Sequence, residues 1–331
     1  MKEKHIILES DTVTGLLQKE NETLGGLQGW SVAMRRYFLS SAEQKKEFPS
    51  GNGAVSYIVQ PPLDGSTAAV WLYLISDVQL RYGKGITVAS EDGLEYVWTA
   101  GITADGADSR EQTESIFTSY EKDLSGMGMS LEDNCVRTWL FVDDIDSNYA
   151  GVVVGRRENF KTVGLVPQTH YIASTGIAGT PCREGALVQM DAYSIKGKYN
   201  TQYLHAPEFL NPTYEYGVTF ERGVKLDFGD SSRILISGTA SIDNRGGVLF
   251  KGDVCRQTLR MWENVEALLA EAGSGWEDVR QVLVYLRNAE DYAKVAEMFR
   301  NKFRQLPYII LKAPVCRPDW LVEMECIAYK R

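Results

Sequence analysis

The sequence predicts an α+β protein in which one unit, a mixed β-sheet with two helices packed on one face, occurs twice. Short motifs recur at a constant offset: Gln112-Thr113 answers to Gln257-Thr258, and segment 128–133 to segment 273–278, both 145 residues apart (257 − 112, 273 − 128). The register continues with small slips. Tyr149-Ala150 matches Tyr292-Ala293, Phe160 matches Phe303, and Leu187-Val188-Gln189-Met190-Asp191 matches Leu321-Val322-Glu323-Met324-Glu325. Within each copy, helical spacing alternates with short β-branched and aromatic runs in the order strand, helix, strand, helix, strand.

In the second copy, 233–241 reads as a strand, preceded by a hairpin strand near 218–225. Val254, Thr258, Met261, Val265, Leu268 and Ala272 then recur at helical spacing, with Asp253 as N-cap and Gly273 as the residue that ends the helix. A strand at 281–287, a helix carried by Tyr292, Val295, Ala296, Phe299 and Phe303, and a strand at 320–328 complete it. In the first copy, strands are expected at 96–103, 135–142, 170–176 and 187–195, with helices at 110–124 and 148–160. About 90 residues precede it. The turn signal Pro61-Pro62-Leu63-Asp64-Gly65 between two apolar runs reads there as additional hairpin strands. Segment 196–212 reads as the connection, so the expected domains are residues 1–200 and 213–331.

Bulk properties exclude several function classes. The net charge of −9 opposes general binding to nucleic-acid backbones, whose affinity comes from Lys and Arg neutralising phosphate. The N-terminus lacks the apolar run of a signal peptide, and no stretch approaches ~18 apolar residues, so a soluble, cytoplasmic protein without membrane partners is expected. Five cysteines without C-x-x-C spacing and three scattered histidines indicate neither a disulfide framework nor a metal site. No G-x-G-x-x-G or Walker pattern accompanies the glycines at 238 and 243–247, so no cofactor is expected.

Chemistry is expected in the second copy, which carries a carboxylate where the first has an amide. Alternation in the last strand places Leu321, Glu323, Glu325 and Ile327 on the face away from the helices. The bland alternative is a solvated pair of glutamates. Flanking apolar residues and Arg317, six positions before Glu323, favour a covered face, where a glutamate with a raised pKa suits general acid catalysis. Ser237, Thr239 and Ala240 are candidate pocket-lining residues. Cys316 has no nearby histidine and reads as a small hydrophobe, while Tyr214 and Tyr216 read as packing residues rather than stacking platforms for RNA.

Four separated motifs, ILISGTASID, GDVCRQTLRMWENVEALLAEAG, VRQVLVYLRNAEDYAKV and LVEMECIA, resemble the YjgF/Rid family, formerly called the L-PSP endoribonuclease family. With RTWLFVDDID, VGRRENF, STGIAG and CRPDWLVEME, the wider layout resembles its two-domain chorismatase branch. The resemblance implies two YjgF-like (chorismate mutase-like) domains and an enzyme that releases pyruvate from chorismate or a related enol-ether carboxylate. It implies Glu323 as proton donor and Cys316 as the cysteine of the hydroxybenzoate-forming type. Arg317, Arg222 and Arg156 are the candidate anion ligands. Other readings are a non-catalytic metabolite-binding or interaction protein, and an enamine/imine deaminase. For the deaminase, the family's substrate-binding arginine falls on Ile310 here. YjgF-like proteins close three sheets around a central barrel, so two repeats per chain imply a homotrimer.

Overall fold

The structure is a computed structural model that describes residues 1–331, apart from the side chain of Tyr216. The described residues form three sheets, each with its own helix layer. The first unit runs β1 (Lys2–Ser10), α1 (Val13–Gly25), β2 (Trp30–Leu39), β3 (Ala54–Val59) and β4 (Ala68–Ser76). The second runs β5 (Gln79–Gly83), β6 (Ile86–Glu91), β7 (Leu94–Ile102), α2 (Ser109–Gly126), α3 (Leu131–Asn134), β8 (Cys135–Val142), α4 (Ile145–Thr162), β9 (Ala173–Ala178), β10 (Thr180–Pro181) and β11 (Val188–Lys196). The third runs β12 (Asn200–Leu204), β13 (Gly223–Asp227), β14 (Ser232–Ala240), α5 (Val254–Glu271), β15 (Val279–Leu286), α6 (Tyr292–Lys302), β16 (Tyr308–Lys312) and β17 (Val322–Lys330).

The second and third sheets share one strand order, β5-β6-β7-β11-β8-β9 and β12-β13-β14-β17-β15-β16. The repeated glutamines lock each helix to its closing strand. Gln112 Oε1 accepts from the Leu187 amide and Gln257 Oε1 from the Leu321 amide, both at 2.8 Å. Asp253 caps α5 by accepting from the Arg256 amide, and Gly273 follows it at φ +71°, where a side chain is strained.

The first 76 residues form a third, abbreviated copy. Its order β1-β4-β2-β3 is the core of the other two sheets without their N-terminal hairpin and second helix. Hairpins were expected here; instead β2 and β3 are parallel, and β3 reaches β4 only by crossing β2. Two smaller corrections concern the third unit. Part of segment 196–212 is strand β12, antiparallel to β13, and the apolar run Tyr308-Ile309-Ile310-Leu311 is strand β16, parallel to β15.

The helix-free faces of the three sheets meet in a common interior. Trp71 packs against Trp139 at 6.1 Å, Tyr73 against Trp98 at 5.3 Å, and Trp98 stacks on Tyr193 at 4.9 Å. Three buried ion pairs run around this interior in a cycle: Arg36 of the first sheet to Asp191 of the second at 2.9 Å, Arg137 of the second to Glu325 of the third at 2.6 Å, and Arg233 of the third to Glu3 of the first. A guanidinium without its partner in such an interior costs several kcal/mol, so the pairs fix which sheets adjoin. The homotrimer expectation assumed that two repeats leave the open face of the C-terminal sheet uncovered. That premise fails, because one chain supplies all three sheets and covers the face itself.

Candidate active site

Strands β4, β11 and β17 are nine residues each and lie between equivalent neighbours, so Ala69, Gln189 and Glu323 hold the same position in the three sheets. Glu323 alone of the three is ionisable. It is 5% exposed and borders a cavity of about 400 Å³ at the seam between the second and third units. Alternation along β17 turns it inward. A register shift between β14 and β17 at Ile236/Thr239 brings Gly238 beside it, so close that a Cβ there would lie 2.4 Å from Glu323 Oε1. A side chain at Gly238 would therefore displace the carboxyl from this seat.

Electrostatics set the state of that carboxyl. Burial, and next the neighbouring Glu325, raise the Glu323 pKa from 4.5 to about 8, against the opposing pull of Arg222 and Arg137. Glu325 is bound differently. Arg137 Nη2 donates to it at 2.6 Å, Trp139 Nε1 at 2.8 Å, and the Thr175 hydroxyl also donates. One carboxyl thus has a fixed salt bridge, while its neighbour two residues away is kept protonated near neutral pH and faces the cavity.

Three arginines line the same cavity. Arg156, on α4, donates to Thr219 Oγ1 at 3.2 Å and Ser174 Oγ at 3.3 Å. Arg222 donates to the Asn211 carbonyl at 3.0 Å, and Phe220 lies between the two guanidiniums, 5.9 and 5.5 Å from them. Arg317 stacks on Trp320 at 4.6 Å and donates to the Gly246 carbonyl at 3.0 Å. The turn carrying that carbonyl is tied by Asp243, whose Oδ1 accepts from the Arg245 and Gly247 amides, so the 243–247 glycines serve a turn that positions Arg317. Burial and Glu323 push the Cys316 thiol up to about 12, which leaves it neutral and unsuited to nucleophilic attack at pH 7. Cations, a neutral acid and apolar walls together fit a small carboxylate with an apolar body.

Of the residues singled out from the sequence, Glu323, Arg317, Cys316, Arg222, Arg156 and Ala240 line this cavity. Ser237 and Thr239 do not. The Ser237 hydroxyl donates to the Glu221 carbonyl at 2.6 Å and accepts from the Ser174 amide, and the Thr239 hydroxyl donates to the Ser237 carbonyl, so both hold the bulge behind the site. Tyr214 is exposed, and the Tyr216 side chain lies outside the described residues. Sequence reasoning missed Tyr149, Phe220 and Trp320. Tyr149 had a signal in its repeat match, and its ring lies against Gly176, where a Cβ would come within 2.9 Å of it. Ile310 is buried on β16, against β15, and its carbonyl accepts from the Leu63 amide at 3.0 Å.

The described helices include none long and apolar enough to cross a membrane. The family model described as endoribonuclease L-PSP matches residues 224–330. A RutC family protein of Pyrococcus abyssi is 40% identical over 99 residues, which is 29% of this chain and 78% of that protein. A 3-hydroxybenzoate synthase of Streptomyces hygroscopicus is 29% identical over 292 residues, covering 78% of this chain and 80% of that protein. A chorismatase crystal structure superposes with a TM-score of 0.70 at 20% identity, covering 99% of this chain and 98% of that one, which establishes a shared fold along the whole length. The chain therefore belongs to the endoribonuclease L-PSP (YjgF/Rid) family, and its whole-length likenesses are consistent with a chorismatase-like branch.

Proposed function

We propose that the protein hydrolyses chorismate, or a closely related enol-ether carboxylate, to pyruvate and a hydroxylated ring acid. The observation that carries this is the pairing of a protonated, cavity-facing Glu323 with three arginines in one enclosed seam. Relatives named for chorismate chemistry and for 3-hydroxybenzoate support it. Glu323 gives its proton to the enolpyruvyl methylene, which becomes a methyl group and leaves a cation at the ether-bearing carbon. Water adds there and returns a proton to Glu323. The resulting hemiketal then collapses: the bond between its carbon and the ether oxygen breaks, the proton of its hydroxyl passes to that oxygen, and pyruvate and the ring alcohol are released. Arg317, Arg222 and Arg156 hold the carboxylates, and Phe220, Val218 and Trp320 exclude bulk water. Cys316 lines the cavity as a neutral thiol.

An imine deaminase reading finds no cation at Ile310, where burying a substrate carboxylate would be unfavourable. Chorismate incubated with the purified protein should yield pyruvate, read by coupling to lactate dehydrogenase. No pyruvate above a buffer control would overturn the assignment. The chain closing its own ring of sheets also supports a monomer.

A further inference from the structure

The first and second units meet at a seam equivalent to the one that holds Glu323, and this seam also encloses a cavity, of about 880 Å³. The correspondence is residue by residue. Gln189 stands at the Glu323 position, and Cys182-Arg183 lie seven and six residues before it, as Cys316-Arg317 lie before Glu323. Gly101 stands at the register shift between β7 and β11, as Gly238 does between β14 and β17. The Ala100 amide donates to the Gly85 carbonyl at 2.9 Å as the Ser237 amide donates to the Arg222 carbonyl at 3.0 Å, so the backbone at Gly85 matches that at Arg222. At the third seam the same positions are Ala69, Pro62 and Leu63, with neither acid nor cation.

The walls of this second cavity differ in a consistent way. The second helix is absent from the first unit, and a short turn, Ala42–Glu47, with the loop after it stands in its place. Among the described residues, Arg35, Lys45, Lys84 and Arg183 line the space against a single carboxylate, Glu20. Both Glu20 oxygens are already engaged, by Arg35 Nε and by the Tyr37 hydroxyl, each at 2.6 Å. Arg183 is held by Asp105 on the solvent side, in a pair that water screens. Tyr37 and Tyr57 stack at 5.2 Å and 12°, and Phe48 packs on both at 4.5 and 5.1 Å, forming an aromatic wall. Gln189 Nε2 donates to Ser56 Oγ at 2.9 Å, and an amide has no acidic proton to transfer.

We propose that this seam is a second, non-catalytic binding site for a small aromatic carboxylate, its ring against the Tyr37–Tyr57–Phe48 wall and its carboxylate between Lys84 and Arg183. The inference is independent of the reaction assigned to the Glu323 seam. Benzoate is the probe, with benzamide as the neutral control, titrated calorimetrically into the full-length protein. The Lys84→Ala/Arg183→Ala double variant removes two partly exposed cations without touching the interior, and Arg317→Ala reports on the other seam. A benzoate binding event weakened at least 10-fold by the double variant, left unchanged by Arg317→Ala, and absent with benzamide is the expected result. Benzoate binding lost only in Arg317→Ala, equal binding of benzamide, or no benzoate binding at millimolar concentration would each overturn the proposal.

Discussion

The state of Glu323 sets how turnover depends on pH. With its pKa raised to about 8, roughly 90% of the carboxyls are protonated at pH 7, against about 0.3% for a glutamate left at 4.5. The environment therefore raises the protonated fraction at pH 7 about 300-fold, and the protonated form is the one that general acid catalysis requires. The profile of kcat/KM for pyruvate release should be flat below pH 7.5 and fall about tenfold per unit above 8. Stability moves the same way. Between pH 4.5 and 8 the folded protein holds a proton that the unfolded chain has lost, so stability is present below 4.5 and is lost as pH rises through 8. Urea unfolding should show the wild type losing on the order of 3 kcal/mol between pH 6 and 9 from this group, and Glu323→Gln sparing that loss. A rate that rises through pH 8, or equal pH slopes of stability in both proteins, would refute the reasoning.

Further outcomes follow from the interior and the seams. Arg137→Ala removes the cation paired with buried Glu325 and should destabilise the fold by about 3–5 kcal/mol in chemical denaturation, since one charge is left without its partner. Imines generated from serine or leucine by an amino-acid oxidase or lyase should hydrolyse no faster than in buffer, given Ile310; robust ammonia release would show that another residue holds the carboxylate. Light scattering at micromolar concentration should give about 37.0 kDa, the mass of one chain. A species of three times that mass would mean that the self-closed ring still trimerises.

The two full repeats were legible because each keeps both helices and the Gln-to-strand lock, which fixes residue types as well as hydrophobic spacing. Strand alternation placed Glu323 on the face away from the helices, and its apolar neighbours Leu321 and Ile327 together with Arg317 pointed to that face being covered. The first unit was hidden because it lacks the hairpin and second helix that make the others recognisable, and its β4, AAVWLYLIS, is buried throughout and shows no alternation. Strand β16 is equally uniform, so periodicity could not separate strand from loop. Ser237 and Thr239 were misjudged because sequence places them beside Gly238 but cannot show a bulge, which turns their hydroxyls to the backbone. The Cys182-Arg183 pair carried the same spacing to Gln189 as Cys316-Arg317 to Glu323, and it gains meaning only once the first unit supplies the other wall of its seam.

The central claim, that one seam of three performs the chemistry through Glu323, is tested most directly by pyruvate release from chorismate in Glu323→Gln and Gln189→Ala beside the wild type. The account predicts a loss of about 10²–10⁴-fold in Glu323→Gln, because an amide cannot donate the proton, and turnover largely intact in Gln189→Ala. Equal losses in the two variants, or full activity in Glu323→Gln, would contradict it.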